Sequence, residues 1–212
     1  MAFLFNWATM EPDEYALNVA IGSVVRLGER NYLRVDGEGD ETSSAFKQNA
    51  AAMLALGDYL TQVDRHGIEV SGFRNFVHYP LDVSWEGDFT KPHARYQMRM
   101  KQPNFMPASA FESAKGDLKD VVGVEEINYE RFEEGLEAQV AHTGEVTVAL
   151  IDQLSGFIAD SPFEIDDAEG WHRELYLNDI TKLPVEQWKI ILRQRVSVQN
   201  RAAANNYPLI VN

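Results

Sequence analysis

The chain has 212 residues, 45% of them hydrophobic and 25% charged, the balance of a folded globular protein. Its 33 carboxylates against 19 Lys and Arg give a formal net charge of −14, which repels phosphate backbones and anionic lipid headgroups and so excludes nucleic acid and membrane as expected partners. The absence of cysteine removes disulfides, thiolate zinc sites and cysteine nucleophiles at once, and fits a reducing, cytoplasmic setting.

Residues 1–23 show no clean period and read as a lead-in that packs on the body. Their apolar start lacks a positive n-region and is interrupted by Asn6, so it is no secretory signal. No apolar run approaches the roughly 20 residues that span a bilayer. From Val24 to Gly39, Tyr32, Leu33 and Val35 predict a strand that stops at the Gly37-Glu38-Gly39 turn. Thr42, Ser43 and Ser44 then offer helix caps, and Phe46, Ala50, Met53, Gly57 and Leu60 make one apolar stripe of a helix running to about His66.

Two strands follow in expectation. One covers Phe76 to Trp85, with Pro80 pushing it toward a sheet edge or a bulge. The other covers Ala94 to Lys101, where Tyr96, Met98 and Met100 alternate with Arg95, Gln97, Arg99 and Lys101. Pro107 to Val122 reads as a short helical connection. The glutamates at 125, 126, 130, 133 and 134 read as a solvated face.

The order of elements then repeats. Leu136 to His142 alternates as a strand and stops at Gly144. Val148, Ile151, Leu154 and Ile158 form a helical stripe closed by Asp160-Ser161-Pro162, and His172–Leu177 and Trp188–Val196 read as two more strands. Gly39-Asp40 and Gly144-Glu145 both sit where a strand hands over to a helix, about a hundred residues apart. The prediction is an α+β fold of duplicated strand–helix–strand–strand halves, about 24–105 and 124–196. They form one domain (24–196) with a concave antiparallel sheet, two main helices on one face and a C-terminal tail at 197–212. A pocket is expected on the concave face between the halves.

Four stretches carry a resemblance. Tyr32-Leu33-Arg34-Val35-Asp36-Gly37-Glu38-Gly39, Met100-Lys101-Gln102-Pro103-Asn104-Phe105, Phe132-Glu133-Glu134-Gly135 and His172-Arg173-Glu174-Leu175-Tyr176-Leu177-Asn178-Asp179 resemble, in order and spacing, the motifs of stand-alone GyrI-like small-molecule-binding proteins. The resemblance spans about residues 30 to 196. It implies the duplicated fold, and a pocket of aromatics around one buried glutamate that takes lipophilic, often cationic compounds. Some members of that family are effector domains of transcription regulators, and some stand-alone members hydrolyse cyclopropane-bearing alkylating natural products. The thirty residues before the first motif are too few for the DNA-binding domain of such regulators. Family positions often held by aromatics are Glu86, Ala94 and Val146 here, which implies a different ligand preference.

Glu174 is the residue expected to carry chemistry. It shares a strand face with Tyr176, opposite Leu175 and Leu177, and that face is expected to be the open one, away from the helices. Enclosed by aromatics, its carboxylate binds a cation or serves as general acid or base, with Tyr176 as a catalytic partner. Trp85, Tyr96 and Tyr176 are expected to supply flat π faces, Met98 an adaptable wall, and His142 and His172 polar contacts near Glu174. The competing expectation for the aromatics and Met98 is plain core packing. The five histidines show no HExxH or close-paired spacing, so neither metal nor cofactor is expected. The first functional reading is a monomeric or homodimeric protein that binds and sequesters lipophilic, cationic or aromatic small molecules. The alternatives are a hydrolase of electrophilic cyclopropane-bearing compounds using Glu174, and an acidic interaction protein docking through the glutamate run.

Overall fold

The computed structural model describes residues 3–15, 22–86, 94–166 and 171–211. Two single-turn helices, α1 (Trp7–Met10) and α2 (Pro12–Tyr15), precede β1 (Ser23–Glu38), α3 (Ser44–Leu60), β2 (Leu81–Glu86), β3 (Arg95–Gln102) and α4 (Ala108–Asp117). The second half brings β4 (Asn128–Thr143), α5 (Val148–Ala159), β5 (Phe163–Ile165), β6 (Trp171–Tyr176) and β7 (Lys189–Val198), followed by α6 (Arg201–Ala204) and β8 (Leu209–Val211).

The duplication shows in the two strand-to-helix joints. Gly39 and Gly144 both take positive φ, 118° and 102°, a conformation that side chains with a Cβ rarely adopt. Both donate a backbone N–H at 2.8 Å, to Ala94 O and Trp188 O respectively. Ser43 and Thr147 then cap the helices, their hydroxyls accepting from Phe46 N at 3.2 Å and Leu150 N at 3.3 Å. The fold class is α+β, with strands of both halves in one sheet.

That sheet curves further than the sequence shows. β1 is long enough to pair β3 through residues 31–38 and β4 through residues 23–34, both antiparallel. With the pairs β3–β2, β2–β6, β6–β7 and β7–β4, six strands close into a barrel. α3 and α5 cover its outer surface. The apolar stripe of α3 (Phe46, Ala50, Met53, Leu56, Leu60) is buried, and Gly57 lets the Met100 thioether pack against the helix where a Cβ would push it aside. Leu150, Leu154 and Ile158 do the same work for α5.

Closure encloses the face that alternation leaves polar. Inside lie Arg30, Asp82, Arg99, Glu134, Glu137, Arg173 and Arg193, each buried. Arg30 binds Glu14 by two hydrogen bonds of 2.7 and 2.9 Å, and Arg173 reaches Asp82, Glu134 and Glu137 together. Burial alone opposes the charge on Glu14, but Arg193, with Arg30 and Lys101, outweighs it and holds the carboxyl at about 2.

Three expectations change here. The glutamate run is no uniform solvated face: Glu125, Glu126 and Glu133 are exposed, while Glu134 is buried against Arg173 and Glu130 accepts from Arg99 at 2.8 Å. The strand after Pro80 starts at Leu81 and pairs on both sides, with β3 and β6, so Pro80 ends up at the entry of an interior strand. The helix expected to run to about His66 ends at Leu60, and Val63–His66 form a separate 3-10 turn. Outside 24–196, the described part of the lead-in packs on the body and the tail adds a strand. Glu14 and Tyr15 are buried, Phe5 bridges to Phe76, and β8 lies parallel to Val24–Arg26.

Candidate functional site

The register places Glu174 opposite Val83 on β2 and Leu192 on β7, while its neighbour Arg173 points into the barrel. Trp85, on the same face as Val83, stacks on Phe46 of α3 at 5.4 Å and 13°. Glu174 and Tyr176 therefore lie on the helix side of the sheet, not on the face away from it. The parity along β6 is as predicted; its assignment to a face is reversed. Both faces of this strand are buried, one by helices and one by closure, so polarity no longer tells them apart.

Glu174 sits in a narrow cleft between the two strand-to-helix joints, lined by Glu41, Trp85, Glu145, Tyr176, Trp188 and Ile190 among others. Its carboxylate is 4% exposed. Tyr176 donates its hydroxyl to Oε2, and His172 Nε2 lies 3.2 Å from Oε1 and donates when that nitrogen carries the proton. Among the described residues no Lys or Arg forms an ion pair with it. Instead, more negative charge is close. Burial and then the nearby Glu174 push the Glu41 carboxyl up, with Glu145 contributing. Burial, with Glu174 second, raises the Tyr176 phenol well above its ordinary range, so it stays a hydrogen-bond donor at neutral pH.

Aromatic surfaces complete the cleft. Trp188 meets Tyr176 edge to face at 5.4 Å and 88°. The free volume is about 10 Å³, room for roughly one water, so a larger ligand enters only as half-buried Trp188 or exposed Glu145 moves aside.

The other expected residues divide. Trp85 serves both readings, packed on Phe46 and lining the cleft. Tyr96 lies over Gly37, packs edge-on to Phe46 at 5.2 Å and accepts from Asn49 Nδ2 at 3.0 Å through its hydroxyl, so it is a core residue. Met98, fully buried opposite Val83 and Val35, is core filling beneath α3. His142 faces Ile190 one strand beyond Tyr176, in the same row but outside the cleft lining. Glu41, Glu145 and Trp188 were not singled out by sequence reasoning. The paired Gly-acid joints were the signal that pointed at the two glutamates, since the duplication brings both joints to one place. His93 lies outside the described residues, and among those described no cluster of His, Asp and Glu has the arrangement of a metal site.

Comparison with known proteins gives the fold a context. No family model and no curated protein matches the chain. Among solved structures, a hydrolase from Listeria innocua superposes with a TM-score of 0.79 at 26% identity, covering 91% of this chain and 100% of its own. A second structure of a hydrolase from that organism gives 0.81 at 25% identity, over 92% and 100%. The C-terminal domain of EcmrR shares the fold at a TM-score of 0.50 and 10% identity, over 84% of this chain and 97% of its own. No helix among the described residues is long and apolar enough to cross a membrane.

Proposed function

We propose that this chain is a GyrI-like protein that binds lipophilic cationic or aromatic small molecules in the cleft at Glu174. One observation carries the reading: a buried carboxylate held by Tyr176 and His172, without an Arg or Lys counter-ion among the described residues, and with Glu41 and Glu145 adding negative charge beside it. A buried charge is costly unless something compensates it. A cation stacked between Trp85, Tyr176 and Trp188 would supply that compensation through both the carboxylate and the ring faces.

A second reading, hydrolysis, draws on the two Listeria hydrolases that match along their whole length. In the cyclopropane version, water adds to the electrophilic ring carbon as the C–C bond breaks. The electron pair leaves with the departing fragment, and Glu174 accepts the proton of the attacking water. Tyr176 holds one of the oxygens. Incubation with a lipophilic cation, its neutral isostere and a cyclopropane-bearing electrophile, with binding and products read by mass spectrometry, separates the readings. Binding of the cation and release of the electrophile unchanged supports sequestration; a product one water heavier that disappears in Glu174→Gln supports hydrolysis. Failure to bind any of the three rejects the cleft as a ligand site.

A further inference from the structure

The wall of the Glu174 cleft carries three carboxylates, Glu41, Glu145 and Glu174, and among the described residues that line it none is basic. Glu174 is buried, Glu41 is half-buried and Glu145 is exposed, so the acids run from the interior out to solvent. They come from β6 and from the two strand-to-helix joints, which the duplication brings to one place. Between them stand the rings of Trp85, Tyr176 and Trp188. The cleft is thus an aromatic slot with one acid at its base and two at its mouth.

Like charges held together repel, and the repulsion shows at Glu41. Burial leads in pushing its carboxyl up, and among the charges Glu174 comes first, followed by Asp40 and Glu145. A ligand with one positive centre, seated against Glu174, compensates that carboxylate alone. The body of the same ligand would cover Glu41, which keeps part of its surface in water only while the cleft is closed on about 10 Å³. Taking the remaining water from a carboxylate is costly unless positive charge replaces it. An outer end without charge therefore works against binding, and a positive outer end works for it.

We propose that the cleft selects dications: a planar aromatic cation against Glu174 and the rings, joined by a short arm to a second positive centre held at the mouth by Glu41 and Glu145. The inference rests on the reading of the cleft as a site for lipophilic cations, and it names what chooses among them. Glu41, set between the buried acid and the exposed one, is the specificity-determining residue. Glu145, being exposed, is free to swing out as the ligand enters and to return over its outer charge.

Ethidium and propidium test this, because they share one planar aromatic cation and propidium adds a quaternary ammonium on a propyl arm. Calorimetric titration of the full chain should show propidium binding about tenfold tighter, through the Coulomb attraction of one further positive centre at a partly exposed carboxylate. Glu41→Gln should bring that ratio to about threefold or less, and Glu145→Gln should lower it by a smaller factor. Glu69→Gln, exposed and outside the cleft lining, should leave the ratio as it is, which separates a local contact from the pull of the net charge of −14. Ethidium binding that Glu174→Gln weakens, with propidium no tighter or with a ratio that Glu41→Gln leaves intact, would overturn the dication and keep the cleft as a site for single cations. Binding of neither dye, or affinities that Glu174→Gln does not change, would overturn both the dication and the reading beneath it. Should Glu41→Gln fail to fold, the ratio in Glu145→Gln against that in Glu69→Gln decides.

Discussion

The barrel interior and the Glu174 cleft both take carboxylates out of water, and they treat them differently. In the interior, Glu14, Asp82 and Glu134 meet Arg30, Arg173 and Arg193, and the charges compensate one another within the fold. In the cleft, Glu174 has a phenol and an imidazole, and Glu41, which shares the cleft, is of the same sign. In the first arrangement these three carboxylates are paired without a ligand. The second has no Lys or Arg partner among the described residues, and that difference, not burial by itself, is what supports the proposed binding site.

The comparison breaks most visibly at Arg173. Its replacement by Met takes the ion-pair partner from Asp82 and Glu137 and leaves Glu134 only the 3.8 Å contacts to Arg30 and Arg193, and removing one member of a buried ion pair costs about 3–5 kcal/mol. Denaturant unfolding should show a loss of that size. Glu174→Gln, measured alongside, should change stability by less than about 1 kcal/mol, because it removes a charge that no Lys or Arg among the described residues balances. Equal losses in the two variants would show that Glu174 is as structural as the interior carboxylates.

Acid offers the next largest effect. Glu14, held at about 2 when folded, titrates near 4.5 when unfolded. A depressed carboxyl contributes stability that is complete above 4.5 and is lost as the pH falls through 2. The two and a half units correspond to about 3 kcal/mol, an order-of-magnitude figure. Thermal unfolding between pH 5 and pH 2 should therefore decline less steeply in Glu14→Gln than in the unaltered chain, and parallel declines would remove Glu14 from the acid response.

How much of this was legible beforehand depended on what each residue's signal was about. Period and punctuation concern local backbone, and they predicted β1, the start of α3, α5, β6 and the two Gly-acid joints to within a few residues. Alternation also gave the correct parity of Glu174 and Tyr176. It failed on which face they occupy, because a closed sheet has no solvent side and Arg173 is as buried as Glu174. Closure depends on β1 lending both its edges, and nothing in the order of residues 23–38 marks an edge as taken. For the same reason Glu134 looked like surface charge; Arg173, which it shares with Glu137, lies 39 residues away in sequence.

The ligand measurements sharpen the comparison on a smaller scale. Glu174→Gln should weaken a lipophilic cation by about one to two decades and a neutral compound of the same shape far less, the worth of one charge-assisted contact being about 1.5–3 kcal/mol. Quenching of Trp85 and Trp188 fluorescence reads both ligands at the cleft itself. Equal weakening of the two would mean that the carboxylate acts through shape.

Tyr176→Phe should have the smallest effect, and its sign is what informs. The hydroxyl donates to Glu174 Oε2, so in the free protein it satisfies part of the carboxylate's demand. Deleting it leaves the ring, its contact with Trp188 and the cleft's shape in place, but raises the energy of the unliganded carboxylate. A cation that replaces the lost donor then gains, and its affinity should rise by about tenfold or less, while a neutral ligand binds as before. Hydrolysis makes the opposite demand. If the phenol holds an oxygen as the ring opens, its loss lowers turnover and leaves the affinity for neutral substrate unchanged. A tighter cation with no turnover to lose fits a protein that sequesters its ligand; a slower reaction at constant affinity fits an enzyme. A weaker cation in Tyr176→Phe would contradict the claim that the carboxylate at 174 is short of donors, and with it the contrast between this cleft and the arginine-filled interior.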